Sequence, residues 1–197
     1  MTTIPQRGGF LRPFGTAQFI AEFLKGEGPK FGVTRIDPKR GAPQQDIHVA
    51  YKLALHIQMA EDAVAWEVEE AGRRGRPMTT EQMDQRRAFY LARIPRKLSR
   101  MRYHSFCSYF GMLKRLKWVK PTGEEEASEA QERMALAPGE PEREVGRPRI
   151  YYLLTTAGKR ASLSKLSNPL RLLYPQFTAA YFRGKKKLYS QPRTKRA

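Results

Sequence analysis

The residues whose types and spacing could do chemistry are mostly cations, and the chemistry they suit is recognition of a polyanion. Between Gln85 and Gly123 there are eleven Lys or Arg and no Asp or Glu; between Val145 and Ala197 there are thirteen and again no acid. Two acid-free blocks thus carry 24 of the 37 bases, while all 19 acids lie between Glu22 and Asp84 or between Glu124 and Glu144. A surface built only for solubility mixes both signs, so this segregation points to nucleic acid as the partner. The net charge of +18 agrees. Arg96, Lys97, Arg100 and Arg102 precede a segment with one apolar face, Phe106, Phe110 and Leu113. His104, Ser108 and Arg115 fall on its opposite face, with Cys107 and Lys114 near the flank. Arg147 and Arg149 bracket Pro148 just before a strand-like run, and Lys185, Lys186 and Lys187 lie in a basic tail. Arginine can hold guanine at two atoms at once, whereas lysine and arginine on phosphate fix position without reading sequence.

Plainer readings stand beside these. Any one short charge run is ordinarily solvated surface, and Arg147 and Arg149 could be no more than that. His104 with Cys107 is one pair, not a metal site. His48 and His56 have no clustered ligands and read as structural. There is no glycine-rich phosphate loop after a strand, no HExxH and no nucleophile elbow. Glu67, Glu69 and Glu70 lack an apolar pocket to tune them. No enzyme activity, metal or cofactor is therefore expected. The lone Cys107 excludes an intramolecular disulfide and fits a reducing compartment. No apolar run approaches the ~18 residues of a membrane span, and the N-terminus lacks a signal-peptide run. The expectation is a soluble cytoplasmic protein with no membrane partner, nucleoid-associated if the source is prokaryotic.

The elements that must position these groups follow from pattern. Residues 1–45 read as a Gly/Pro/Arg-rich arm and a short helix capped by Thr16, with Phe19, Ile20, Phe23 and Leu24 on one face. The following loop has room for a short strand. A long helix over 46–72, opened by Asp46, carries Ile47, Ala50, Ala54, Ile57, Val64 and Val68 on a heptad-like seam interrupted by Glu61. That seam is either an ordinary core face or a homodimer interface. Thr79 and Gln82 have capping-box spacing. Pro95 ends that helix and opens a short second one, "PRKLSRM". The helix 104–119 closes at Trp118 and Val119, and Pro121 with Gly123 stops it. Residues 124–144 form an acidic loop with eight glutamates and two arginines. "RIYYLL" is a strand with one tyrosine in the core and one facing out. "TTAGKRASLSKL" is a helix capped by Thr155 or Thr156. Residues 167–197 comprise a helix from Asn168 and Pro169, bent at Pro175, and the basic tail.

The order of these parts, with "LKRLKWV" ending one helix and an arginine-flanked strand running into "LLTTAGKR", resembles the winged helix-turn-helix of MarR- and PadR-type transcription regulators. The resemblance covers 79–166. It implies a mainly α fold with a small β-wing and an N-terminal helical extension, a recognition helix over 104–119, and a wing holding the acidic insertion 124–144. It further implies a DNA-binding transcription regulator on double-stranded DNA: the helix enters the major groove, while wing and tails grip backbone. The alternative use of such a fold is a structural or assembly protein that packs RNA or nucleoprotein. A third is a module whose wing binds an acidic protein.

Overall fold

Seven of the nine residues of the first helix, α1 (Thr16–Leu24), are buried, and the other elements assemble around it. The computed structural model describes residues 14–126, 148–174 and 176. After α1 come a 3-10 turn at Gly28–Phe31, β1 (Ala42–Pro43), α2 (Gln44–Arg73), α3 (Thr80–Arg93), α4 (Tyr103–Arg115), β2 (Val119–Glu126), β3 (Arg149–Leu154), and three short helices, α5 (Thr156–Lys159), α6 (Leu163–Ser167) and α7 (Pro169–Leu173). The chain is mainly helical, with one antiparallel three-stranded sheet in the order β1-β3-β2.

Aromatic packing fixes α1, α2 and α4 against one another. Phe19 touches Phe31 and Tyr51 at centroid distances of 5.0 and 5.1 Å. Tyr51 leads to Phe106, Phe106 to Phe110, and Phe110 meets Tyr152 of β3 edge-on at 4.9 Å. Each large side chain fully withdrawn from water contributes about 1.5–3 kcal/mol, so this row sets where α4 lies relative to the sheet. Thr16 does not cap α1; Gly15 holds the cap position, and the Thr16 hydroxyl donates inward to Tyr51 Oη at 3.1 Å. Both tyrosines of β3 are covered on at least one side. Tyr152 packs on the core, and Tyr151 is 7% exposed, with the Arg40 guanidinium over its ring and its hydroxyl donating to Glu126.

Two glycines are required by close approach. Gly41 has φ +78°, and a Cβ there would lie 2.0 Å from Tyr152 O, so β1 can reach β3 only through glycine. A Cβ on Gly158 would lie 2.2 Å from Trp118 O. That explains the Thr-Thr-Ala-Gly turn. Thr155 Oγ1 accepts from Gly158 N at 3.1 Å and donates to Lys117 O at 2.7 Å, tying the end of β3 to the end of α4. The run expected as a single helix after Thr155 is two short ones, α5 and α6.

Other boundaries differ from the pattern reading. α2 starts at Gln44 with Pro43 at the cap position, and Asp46 lies in its first turn. The segment "PRKLSRM" is turns rather than helix. Pro95 lacks an N–H, and four cations within seven residues have no acid one turn away, so a helix this short has little to hold it. α4 ends at Arg115; Lys117 turns the chain at φ 56°, and Val119 begins β2. Glu124, Glu125 and Glu126 belong to β2, and the rest of the acidic insertion lies outside the described residues. The Thr79–Gln82 capping box is present, with both hydrogen bonds made.

The apolar seam of α2 is used inside the molecule. Ile47 and Ala54 are 0% exposed, Val64 is 4% exposed, and Ala50 and Ile57 pack against the core. The homodimer expectation thereby loses the observation that motivated it. The outer half of α2 instead pairs with α3, which buries no residue completely. Ions join the two helices: Arg86 holds Glu67 with Nε–Oε2 at 2.6 Å, Arg87 holds Glu61, and the Tyr90 hydroxyl also donates to Glu67. The Arg86 hydrogen bonds keep the Glu67 carboxyl below its ordinary value of 4.5. A depressed carboxylate stabilises the folded form above its ordinary value, and that contribution disappears as pH falls through the depressed one. Acidification from about pH 5 to 3 should therefore loosen the hairpin before the core. Glu67→Gln should reproduce the effect at neutral pH, raising hydrogen exchange of α3 amides several-fold after correction for intrinsic rates. Unchanged α3 exchange in that variant would show that the ion pairs do not hold the hairpin.

Candidate nucleic-acid interface

The connector 94–102 feeds directly into α4, and the two form a continuous basic surface. Arg96, Lys97, Arg100 and Arg102 are all exposed, and none makes an ion pair among the described residues. The connector is anchored by its uncharged members. Met101 is 3% exposed and its carbonyl meets His48 Nε2 at 2.9 Å, while Ser99 is 5% exposed and donates to Arg96 O. His48 is driven below the ordinary histidine value chiefly by burial, so the neutral ring donates to that carbonyl. Anchored backbone and free cations together give a fixed row of positive charge.

α4 turns Phe106, Phe110 and Leu113 inward and leaves His104 and Ser108 exposed on the other side. The Ser108 hydroxyl donates back to His104 O at 3.2 Å. Lys114 lies over the Phe110 and Tyr152 rings at 6.0 and 5.5 Å, which holds its charge beside the sheet. Arg115, the last residue of α4, donates from Nη1 to Tyr174 Oη at 3.0 Å. α7, capped by Asn168 through Arg171 N, lies against α4. A cleft of about 450 Å³ separates them, with His104, Ser108, Gly111 and Arg115 on one wall and Leu170 and Tyr174 on the other. The face expected to meet a groove is thus partly occupied by the chain's own C-terminal segment.

Arg149 is engaged elsewhere. Its guanidinium pairs with Asp46 in the first turn of α2 and lies 4.0 Å from Glu126, while its Nε is buried without a hydrogen-bond partner. It ties β3 to α2. Arg147, Lys185, Lys186 and Lys187 lie outside the described residues. The structure adds two cations that sequence reasoning had not singled out. Lys117, in the turn after α4, and Lys120, the second residue of β2, are exposed and continue the row without an ion pair among the described residues. Their signal was the acid-free block itself. Of its eleven bases, Arg86 and Arg87 are engaged with Glu67 and Glu61, and the other nine are without such a partner among the described residues.

Among the described residues no three His, Cys, Asp or Glu side chains come together as metal ligands, and Cys107 accepts a hydrogen bond from Gln44 Nε2 at 3.0 Å. No helix among them is long and apolar enough to cross a membrane. Comparisons with protein families, with curated proteins and with solved structures found no match.

Proposed function

We propose that this chain is a DNA-binding protein of winged-helix type that regulates transcription, with α4 as the helix presented to the major groove and the connector 94–102 on the adjoining backbone. The observation that carries the reading is the run of nine cations without ion-pair partners among the described residues, at the end of α3, on the connector, on α4, in the turn after it and at the start of β2. Its support from the fold is the order of elements. α4 leads into the paired strands β2 and β3, with β1 beside β3, and a helix followed by such a strand pair is what supports the resemblance to a winged helix. The resemblance covers 79–166; in this reading α1 and the inner half of α2 instead belong with the domain, and α3 and the outer half of α2 are an arm added before α4. Selection of bound duplexes from a random pool, followed by titration over a range of salt, tests it. A consensus site with a steep salt dependence is expected.

Two contacts favour a second reading, packing of nucleic acid without sequence preference. Arg115 is held by Tyr174 and Arg149 by Asp46, which leaves mainly backbone-gripping cations free. Selection that yields no consensus, with single-stranded RNA bound as tightly as duplex, would favour it.

The acidic segment competes for the same surface in either reading. Changing Glu129, Glu132, Glu140, Glu142 and Glu144 to glutamine raises the net charge from +18 to +23. Non-specific duplex binding should strengthen a few-fold at low salt and the gain should fade near 1 M, where screening acts within about 3 Å. Binding that is unchanged at low salt would remove the competition.

A further inference from the structure

A cavity of about 500 Å³ opens between α2 and the connector, on the side of α2 away from the core. Its apolar wall is Val49 and Leu53, one turn apart and 52% and 49% exposed. Among the described residues its other walls carry four cations, Lys52, Arg96, Lys97 and Arg100, and no acid. At its edge lies His56, only 7% exposed, whose Nδ1 is buried and has no hydrogen-bond partner.

The proton on His56 can be placed. Nε2 lies 2.9 Å from Leu91 O, and a carbonyl only accepts, so Nε2 carries the hydrogen. Leu91 needs that donor because its usual helical partner four residues on is Pro95, which has no N–H. With that hydrogen on Nε2, Nδ1 is the buried ring nitrogen left without a partner among the described residues. Buried acceptors left unmatched are unusual in folded proteins, and this one belongs to a residue that lines the cavity.

We propose that this cavity binds a phosphate monoester whose apolar body also carries a hydroxyl or amino donor, a mononucleotide being the plainest member of the class. Each wall sets one requirement. Four cations without an acid suit a dianion rather than a single carboxylate. Val49 and Leu53 need an apolar ring or chain against them. His56 Nδ1 needs a donor from the ligand. The volume lies within the range of small-molecule sites, about 300–1,000 Å³. The site makes no demand on α4 and stands whether or not the chain binds nucleic acid.

Calorimetric titration of the full chain with adenosine 5′-monophosphate, phenyl phosphate and inorganic phosphate tests the assignment. Adenosine monophosphate should bind saturably and more tightly than phenyl phosphate, which lacks the donor, and inorganic phosphate should bind most weakly. His56→Gln keeps an amide N–H for Leu91 O but replaces the ring acceptor with an amide oxygen held in a different place. It should weaken adenosine monophosphate about tenfold and leave phenyl phosphate unchanged. Arg100→Gln should weaken both organic probes. Leu53→Glu, on an exposed position, should abolish both if His56→Gln fails to fold. A 5′-phosphorylated tetranucleotide in parallel distinguishes a free nucleotide from a strand end as the source. Absence of saturable binding by adenosine monophosphate, equal weakening of both probes by His56→Gln, or full binding by Leu53→Glu overturns the proposal.

Discussion

Replacing Arg96, Lys97, Arg100 and Arg102 together with glutamine should lower affinity for any duplex by about two to four orders of magnitude near 0.1 M salt. Each phosphate contact contributes about 0.9 to the slope of log affinity against log salt, so four contacts should flatten that slope by about 3–4 units. The loss should be the same for a selected site and for random duplex, because phosphate carries no sequence information. Stability should barely move. All four side chains are exposed and lack ion-pair partners among the described residues, and surface changes of that kind stay within about 0.5 kcal/mol. Thermal unfolding beside the binding titration separates the two effects. Affinity that survives the fourfold change would take the connector off the backbone. A loss confined to the selected site would make these groups readers of sequence.

What was legible in the sequence was what local chemistry decides. Thr79 with Gln82 three residues on could be read as a capping box because each side chain satisfies the other's backbone. Thr155 could be read as a cap, although the reason for Gly158 was not visible, since it is the distant Trp118 carbonyl that excludes a Cβ there. The apolar face of α4 followed from helical spacing. What was not legible depended on which surfaces meet. The seam of α2 announced that something covers Ile47, Ala54 and Val64, yet an apolar stripe looks alike whether its cover is the same chain or a copy. The loop that holds β1 reads as having room for a short strand, but two residues, one of them proline, show no periodicity that could place it; pairing with Tyr151 and Tyr152 defines it. α1 read as a short helix of an N-terminal extension with one apolar face, whereas Phe19, Ile20 and Leu24 at 0% exposure place it in the core. The candidate interface was legible as charge and illegible as geometry. The acid-free block showed the cations, but only the fold shows that Asp46 holds Arg149, 103 positions away in the chain, and that Tyr174 holds Arg115.

That last contact yields a pair of opposite expectations. In the free protein the Arg115 guanidinium donates to Tyr174 Oη, so a base edge must compete with the chain's own phenol for it. Tyr174→Phe removes the acceptor and keeps the ring. Because a hydrogen bond of this kind has a net worth of about 0.5–1.5 kcal/mol, duplex binding should strengthen by roughly two- to tenfold. Arg115→Ala should act the other way. An arginine bidentate to guanine supplies about 1–3 kcal/mol of discrimination at one base pair, so a selected site should lose roughly five- to a hundredfold while random duplex loses far less. The two changes should not add. In an Arg115→Ala background the gain from Tyr174→Phe should vanish, since the guanidinium it would release is gone, and a double-mutant cycle measures that coupling directly. If Tyr174→Phe strengthens binding equally with and without Arg115, the phenol obstructs α4 by its position and not through this hydrogen bond. If Arg115→Ala weakens selected and random duplexes alike, Arg115 grips backbone and α4 does not read bases through it. The nine cations, which lack ion-pair partners among the described residues, would then serve a protein that packs nucleic acid on this scaffold without regard to sequence.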